Sequence, residues 1–164
     1  LCKQFERREV EKIYWALVEG VVDPPTGTWR DTLWKIHGQP RTQVVESSHP
    51  EGRPAVLHYR TLGRAPHGSW LEVELETGRT HQVRIQAASR GHAILGDELY
   101  GSTIPFGAQF EDMRLRAIAL HGRRLSFQHP MTREPVSIEG ALPAAWNEAG
   151  ITATPEPSRN PAED

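Results

Sequence analysis

The sequence predicts an α+β domain in which sheet outweighs helix, and three stretches carry that expectation. "WLEVELE" alternates Leu71, Val73 and Leu75 with Glu72, Glu74 and Glu76, the period of a strand with one buried and one solvated face. "EKIYWALVEG" gathers β-branched and aromatic residues over a short length before Gly20. "THQVRIQAASRG" has the polar start and glycine stop of a short helix.

Taken in chain order, residues 1 to 9 read as the end of a helix, and the strand of "EKIYWALVEG" follows with Tyr14 on it. "VVDPPTGTWRD" reads as a turn-rich connection. A second strand is expected in "EGRPAVLHYRTLGR", where Ala55, Leu57, Tyr59 and Thr61 stand opposite Val56, His58 and Arg60. After "WLEVELE", the glycine of "TGRT" breaks the alternation, and Thr80 is placed to cap a helix closed by Gly91. "RAIALHGRRLSFQHPMTREPVSIEG" reads as three short strands, punctuated at His121-Gly122 and at "HPMTRE". The division is a domain over residues 1–150 and a disordered, proline-rich tail over residues 151–164.

At 164 residues one domain with a real core is the default. A formal net charge of −2 argues against a blanket electrostatic binder of nucleic acid, so any anion site must be local. The single cysteine, Cys2, rules out an internal disulfide framework and a cysteine-rich zinc site. With no long apolar run and no signal-peptide pattern, a cytoplasmic protein without a membrane association is expected. No metal is assigned: His81 has no HExxH spacing and no neighbouring carboxylate in the sequence.

The charge pattern marks one place. Glu72, Glu74 and Glu76 precede Arg79, and from Arg79 through Gly96 there are three arginines, two histidines and no acid. Arg79, Thr80 and Arg84 surround a helix start, where unpaired amides and the dipole favour an anion, either phosphate or carboxylate. Taken alone, Arg84 reads by default as a surface arginine with a helix-end role, Asp97 as a turn or cap residue, and Tyr14 as core with a satisfied hydroxyl. His92, His121 and His129 sit in separate turns and read as structural.

The run "LETGRTHQVRIQAASRGHAILGDELYG" resembles the third sequence motif of the RluA-type pseudouridine synthases, which modify ribosomal and transfer RNA. "QFERREVEKIYWALVEG" resembles the family's lysine-and-tyrosine strand, here Lys12 and Tyr14. "AIALHGRRLSFQHPMTREPVSIEGALP" resembles its C-terminal strands. Together they cover residues 4 to 143 in the family's order, with Ala93 where proline is usual and Gly122 where alanine is usual.

The resemblance implies a mixed, largely antiparallel sheet flanked by helices, and an isomerisation of uridine to pseudouridine that uses no cofactor. It implies that Tyr14 packs against the flipped base as a proposed acid–base participant, and that Arg84 pairs with the catalytic aspartate. Arg79, His81 and Gln82 are expected at the RNA edge, and Leu120 near the base pocket or in the core. The family's aspartate belongs to an HRLD-type motif ahead of the tyrosine segment, and no such motif occurs here, so no nucleophile is transferred. The expectation is a fragment of a longer enzyme, lacking the N-terminal part of the catalytic domain and inactive by itself. The rivals are a noncatalytic RNA-binding module that keeps the cleft, and a phosphate-ligand domain unrelated to RNA. Oligomeric state is not read from the sequence.

Overall fold

The computed structural model describes Gln4 and residues 9–151. The helix expected over residues 1–9 and most of the tail therefore lie outside the described residues. The strands are β1 (Glu11–Glu19), β2 (Thr26–Lys35), β3 (Thr42–Val45), β4 (Arg53–Ala65), β5 (Gly68–Leu75), β6 (Leu120–Gln128) and β7 (Pro135–Glu139). They form one seven-stranded sheet in the order β3-β2-β4-β5-β1-β6-β7. Every pairing of these strands is antiparallel. The helices are α1 (Gln82–Ala88) and α2 (Ala144–Glu148). The α+β expectation holds, and no described helix is long and apolar enough to cross a membrane.

Three local expectations are corrected. "TGTWRD", read as turn, belongs to β2, because Trp29 and Leu33 are core residues and the strand pairs with β4 along its length. The β2–β3 hairpin that follows was not anticipated. His121-Gly122 does not end a strand: β6 runs through it, and a register shift opposite Ile13 and Tyr14 absorbs the irregularity as a bulge. Two strands thus stand where three were read. Ile151, assigned to the tail, is buried and its amide donates to the carbonyl of Trp146 at 2.9 Å.

Cross-strand register decides what faces the helix. Tyr14, Val73, Tyr59 and Gly27 are successive partners across β1, β5, β4 and β2. They therefore share one face, with Trp29 and Asp31 two and four residues beyond Gly27. Helix α1 lies on that face: Gln86 donates from Nε2 to Asp31 Oδ2 at 2.7 Å, and Arg90 donates to the same carboxylate at 2.8 Å. The Arg90 guanidinium also sits 5.0 Å from the Trp29 ring centroid. The opposite face is not simply solvated either. Trp15 is buried there, meets Trp70 edge-on at 4.9 Å, and donates from Nε1 to Glu72 at 3.2 Å. The glutamate face of "WLEVELE" is thus partly covered, and Glu72 is drawn into an ion pair with Arg60 at 2.8 Å.

Past Ala16, residues 93–95 take the place of β6 along β1: Leu95 donates to the Leu17 carbonyl at 3.0 Å and Glu19 to Ala93 at 2.9 Å. This places "GDELYG" immediately after a strand-like anchor. Gly96 has φ +81°, and a side chain there would meet the Ala117 carbonyl at 2.5 Å, so only glycine makes this corner. The chain then turns so that the Asp97 carboxylate points inward.

Candidate active site

Helix α1 begins later than expected. His81 adopts a left-handed conformation, φ 54° and ψ 24°, which cannot continue a helix, so the first helical residue is Gln82 and Thr80 does not cap it. The turn ahead of the helix is instead tied by Gln82, whose Oε1 accepts from the Arg79 amide at 3.0 Å and from the Thr77 hydroxyl at 2.8 Å. Gln82 also donates to the Val56 carbonyl at 3.1 Å and is buried. Its assignment to the RNA edge is therefore wrong: it is a core residue that ties the turn to β4. The Arg79 and Gln82 amides are thus engaged, and α1 is only seven residues long. At the other end, His92 donates to Ala87 and Gly91 to Ala88, each at 3.0 Å, with Gly91 at φ +81°. That is a Schellman closure with Gly91 in the left-handed position, as read.

Arg84 projects from α1 onto Asp97. Its Nε donates to Asp97 Oδ2 and its Nη2 to Oδ1, both at 2.7 Å, a bidentate pair of the strong kind. The Asp97 side chain is 1% exposed and that of Arg84 18%. One edge of the fork is therefore filled from within the chain, which the sequence reading did not anticipate, and only the other edge is left for a carboxylate encoded elsewhere. Burial works against the charge on Arg84, but the Asp97 hydrogen bonds and charge more than offset it, and the pKa is raised. Among the described residues Nη1 makes no hydrogen bond.

Tyr100 completes the setting. Arg84 Cζ lies 5.0 Å from its ring centroid. Its hydroxyl accepts from the Thr42 amide at 2.9 Å and lies 2.9 Å from His81 Nδ1. The two rings meet edge-on at 5.7 Å. Burial lowers the His81 pKa, the Arg84 charge lowers it further, and Asp97 opposes them. A neutral imidazole protonated at Nε2 fits this arrangement, with Nδ1 accepting the phenolic proton.

Two recesses flank the cluster. One, of about 490 Å³, has Arg84 and Asp97 in its lining with Pro40, Leu99, Met113 and Ile118 as apolar walls. The other, of about 420 Å³, is a groove at the β2–β3 end lined by Lys35, His37, Arg53 and Arg79 among others. Arg79 donates from Nε to the Pro54 carbonyl at 3.0 Å, which holds it at that rim.

Of the residues named from sequence, Arg84 and His81 come together around Tyr100, and Arg79 lies at the neighbouring groove. Tyr14 is half-buried on the sheet face that carries α1, and its hydroxyl has no hydrogen bond among the described residues. No hydrogen bond links it to Arg84. Leu120, opposite Ala16 on that same face, is partly buried and packs against the core, next but one to Ile118 of the pocket wall. Asp97 was read as a turn or cap residue, and Tyr100 and Thr42 were not singled out. "GDELYG" carried two of them in plain view, but only the Gly96 corner reveals that both side chains turn inward. Among the described residues no cluster of histidine, cysteine and carboxylate side chains could hold a metal ion.

The sequence profile described as RNA pseudouridylate synthase matches residues 1–89. An "Uncharacterized RNA pseudouridine synthase" of Chlorobaculum parvum is 36% identical over 156 residues, covering 87% of this chain and 47% of that protein. The "Ribosomal large subunit pseudouridine synthase D" of Nitrosomonas europaea is 37% identical over 150 residues, covering 87% of this chain and 41% of that one. The chain thus spans about half the length of such relatives. In structure it is similar to human RNA Pseudouridylate Synthase Domain Containing 1, with a TM-score of 0.67 and 22% identity over 96% of this chain and 71% of that one.

Proposed function

The chain belongs to the RNA pseudouridylate synthase family, and from that premise we propose that it is the Tyr14- and Arg84-bearing part of an enzyme that isomerises uridine to pseudouridine in RNA. The C1′–N1 bond breaks, uracil turns, C1′–C5 forms, N1 takes up a proton and C5 releases one; no cofactor enters this balance. The observation that carries the reading is the arrangement of Arg84, buried against Asp97 yet lining a pocket where Pro40, Leu99, Met113 and Ile118 stand with Glu98, Arg114 and Arg116. A planar donor fork beside apolar walls suits a base withdrawn from its stack, which the reaction requires because the glycosidic bond is inaccessible in a helix.

The roles follow from position. Arg84 is held charged, and its Nη1 donors face an incoming carboxylate, that of the family's HRLD-type motif, or an oxyanion of the RNA. Tyr14 presents its ring from the sheet face beside α1, with its hydroxyl available to the substrate. Arg79, Lys35 and Arg53 give the groove the few local cations with which a protein of net charge −2 can hold phosphates. His81 is assigned to holding Tyr100, while Leu120 stands beside the pocket wall.

Several of the relatives are named for the large ribosomal subunit, and ribosomal RNA is the substrate class we propose first, with transfer RNA second, in the cytoplasm. A noncatalytic RNA-binding module is favoured by one observation only, that Asp97 fills one edge of the Arg84 fork. The full-length gene product, incubated with deproteinised ribosomal and transfer RNA and followed by nucleoside chromatography, separates the two. Pseudouridine formation supports the enzyme, and RNA binding without product supports the module.

A further inference from the structure

The buried carboxylate of Asp97 is on the same guanidinium that the proposed chemistry needs. A buried ion pair is a poor device for stability alone, since two charges must be taken out of water. What it does provide is a fixed orientation. The Nε–Nη2 edge of Arg84 is held on Asp97 by two bonds of 2.7 Å, which fixes the plane and rotation of the group. The Tyr100 ring, 5.0 Å from Cζ, limits movement normal to that plane. Tyr100 is in turn fixed through its hydroxyl by the Thr42 amide and His81, and Thr42 is fixed by donating to the Thr80 carbonyl at 3.1 Å. The chain of contacts runs from β3 through the 97–100 turn to α1, three separate elements that meet around one side chain.

Each of these supports is built. Asp97 sits at a corner that only Gly96 permits. His81 holds a left-handed backbone rare for a residue with a side chain, a strain that places its ring against Tyr100. Meanwhile Nη1 of Arg84 makes no hydrogen bond among the described residues, and Arg84 lines the pocket that also contains Pro40, Leu99, Met113, Ile118, Glu98, Arg114 and Arg116.

We infer that Asp97 and Tyr100 are positioning residues: they hold Arg84 by one edge and one face so that its remaining N–H donors meet a second oxyanion in fixed register. The inference rests on the pseudouridine synthase reading for its activity measurements. It concerns how Arg84 is held, which the reading leaves open. A positioning defect appears in the chemical step and not in RNA affinity, because RNA is held mainly by the separate phosphate contacts.

The test uses the full-length gene product and the variants Asp97→Asn, Asp97→Glu, Tyr100→Phe and Tyr100→Leu, checked for folding by circular dichroism. Asp97→Asn keeps shape but loses the charge. It should lower kcat by about 100-fold, the order expected when a catalytic group is misplaced by about 1 Å, with KM for RNA unchanged. Tyr100→Phe keeps the ring on Arg84 and loses the His81 and Thr42 bonds; it should lower kcat less than Tyr100→Leu. Wild-type kcat in Asp97→Asn, or a rise in KM with kcat intact, overturns the inference. A second readout does not depend on activity. The 15N-resolved Arg84 Nε–H signal should exchange slowly in the wild type and rapidly in Asp97→Asn, with Asp97→Glu in between. If the wild-type enzyme forms no pseudouridine but this signal behaves as stated, the functional reading fails and the positioning stands. Fast exchange in the wild type removes the positioning whatever the activity.

Discussion

Arg84 and Asp97, thirteen residues apart, are joined by two hydrogen bonds of 2.7 Å with the carboxylate almost wholly out of solvent. The pair links α1 to the turn after residue 96, and several consequences can be measured.

Removing one member leaves a buried charge without its partner, which costs about 3–5 kcal/mol. Asp97→Ala should therefore lower the unfolding free energy by about that amount in urea titrations, with the slope unchanged. A loss under about 1 kcal/mol would mean that the pair opens readily to water.

Arg84→Lys keeps the charge but cannot grip Asp97 with two parallel donors or offer a second edge. Turnover should fall by about 100-fold or more while the protein stays folded. Wild-type turnover in this variant would refute the role assigned to the fork.

Tyr14 has a hydroxyl without a hydrogen bond among the described residues, so Tyr14→Phe should leave stability within about 0.5 kcal/mol of wild type. If the hydroxyl transfers a proton, turnover should drop by about 100-fold. A fully active phenylalanine variant would restrict Tyr14 to packing against the base.

Arg79 lines the basic groove, and Arg79→Ala should weaken RNA binding and lower the slope of log K against log salt by about 0.7–0.9, one phosphate contact. An unchanged slope would place the RNA elsewhere.

Burial, with the Arg84 charge adding to it, lowers the His81 pKa from 6.5. The unfolded chain then binds a proton that the folded chain resists, so this contribution to stability is complete above about pH 6.5 and declines as pH falls through the folded value. His81→Asn, which tolerates the left-handed backbone, should flatten that decline when unfolding is followed by urea between pH 7.5 and 5. An identical decline in both proteins would assign it to other groups.

The sequence made β1, β4, β5 and the Gly91 helix stop legible, because each rests on a local signal: alternation, β-branched density or a required positive φ. It hid β2 and β3, whose turn-prone residues were outweighed by pairing with β4, and it hid the continuity of β6, which depends on a bulge opposite Tyr14. Arg84 stood out in the sequence, but its partner within the chain, Asp97, did not. Residue 97 sits on a separate turn, and only the run of 93–95 beside β1 brings it under α1. Gln82 was misplaced for a related reason: a polar residue beside two cations looks exposed until the left-handed His81 turns it into the core.

Loss of the proton from uridine C5 is the step that most directly defines the proposed reaction. The full-length gene product, mixed with ribosomal RNA carrying tritium at uridine C5, should release tritium to water, and its Arg84→Lys variant should release it about 100-fold more slowly. A folded wild-type protein that releases none from ribosomal or transfer RNA would contradict the assignment of this cleft to pseudouridine formation.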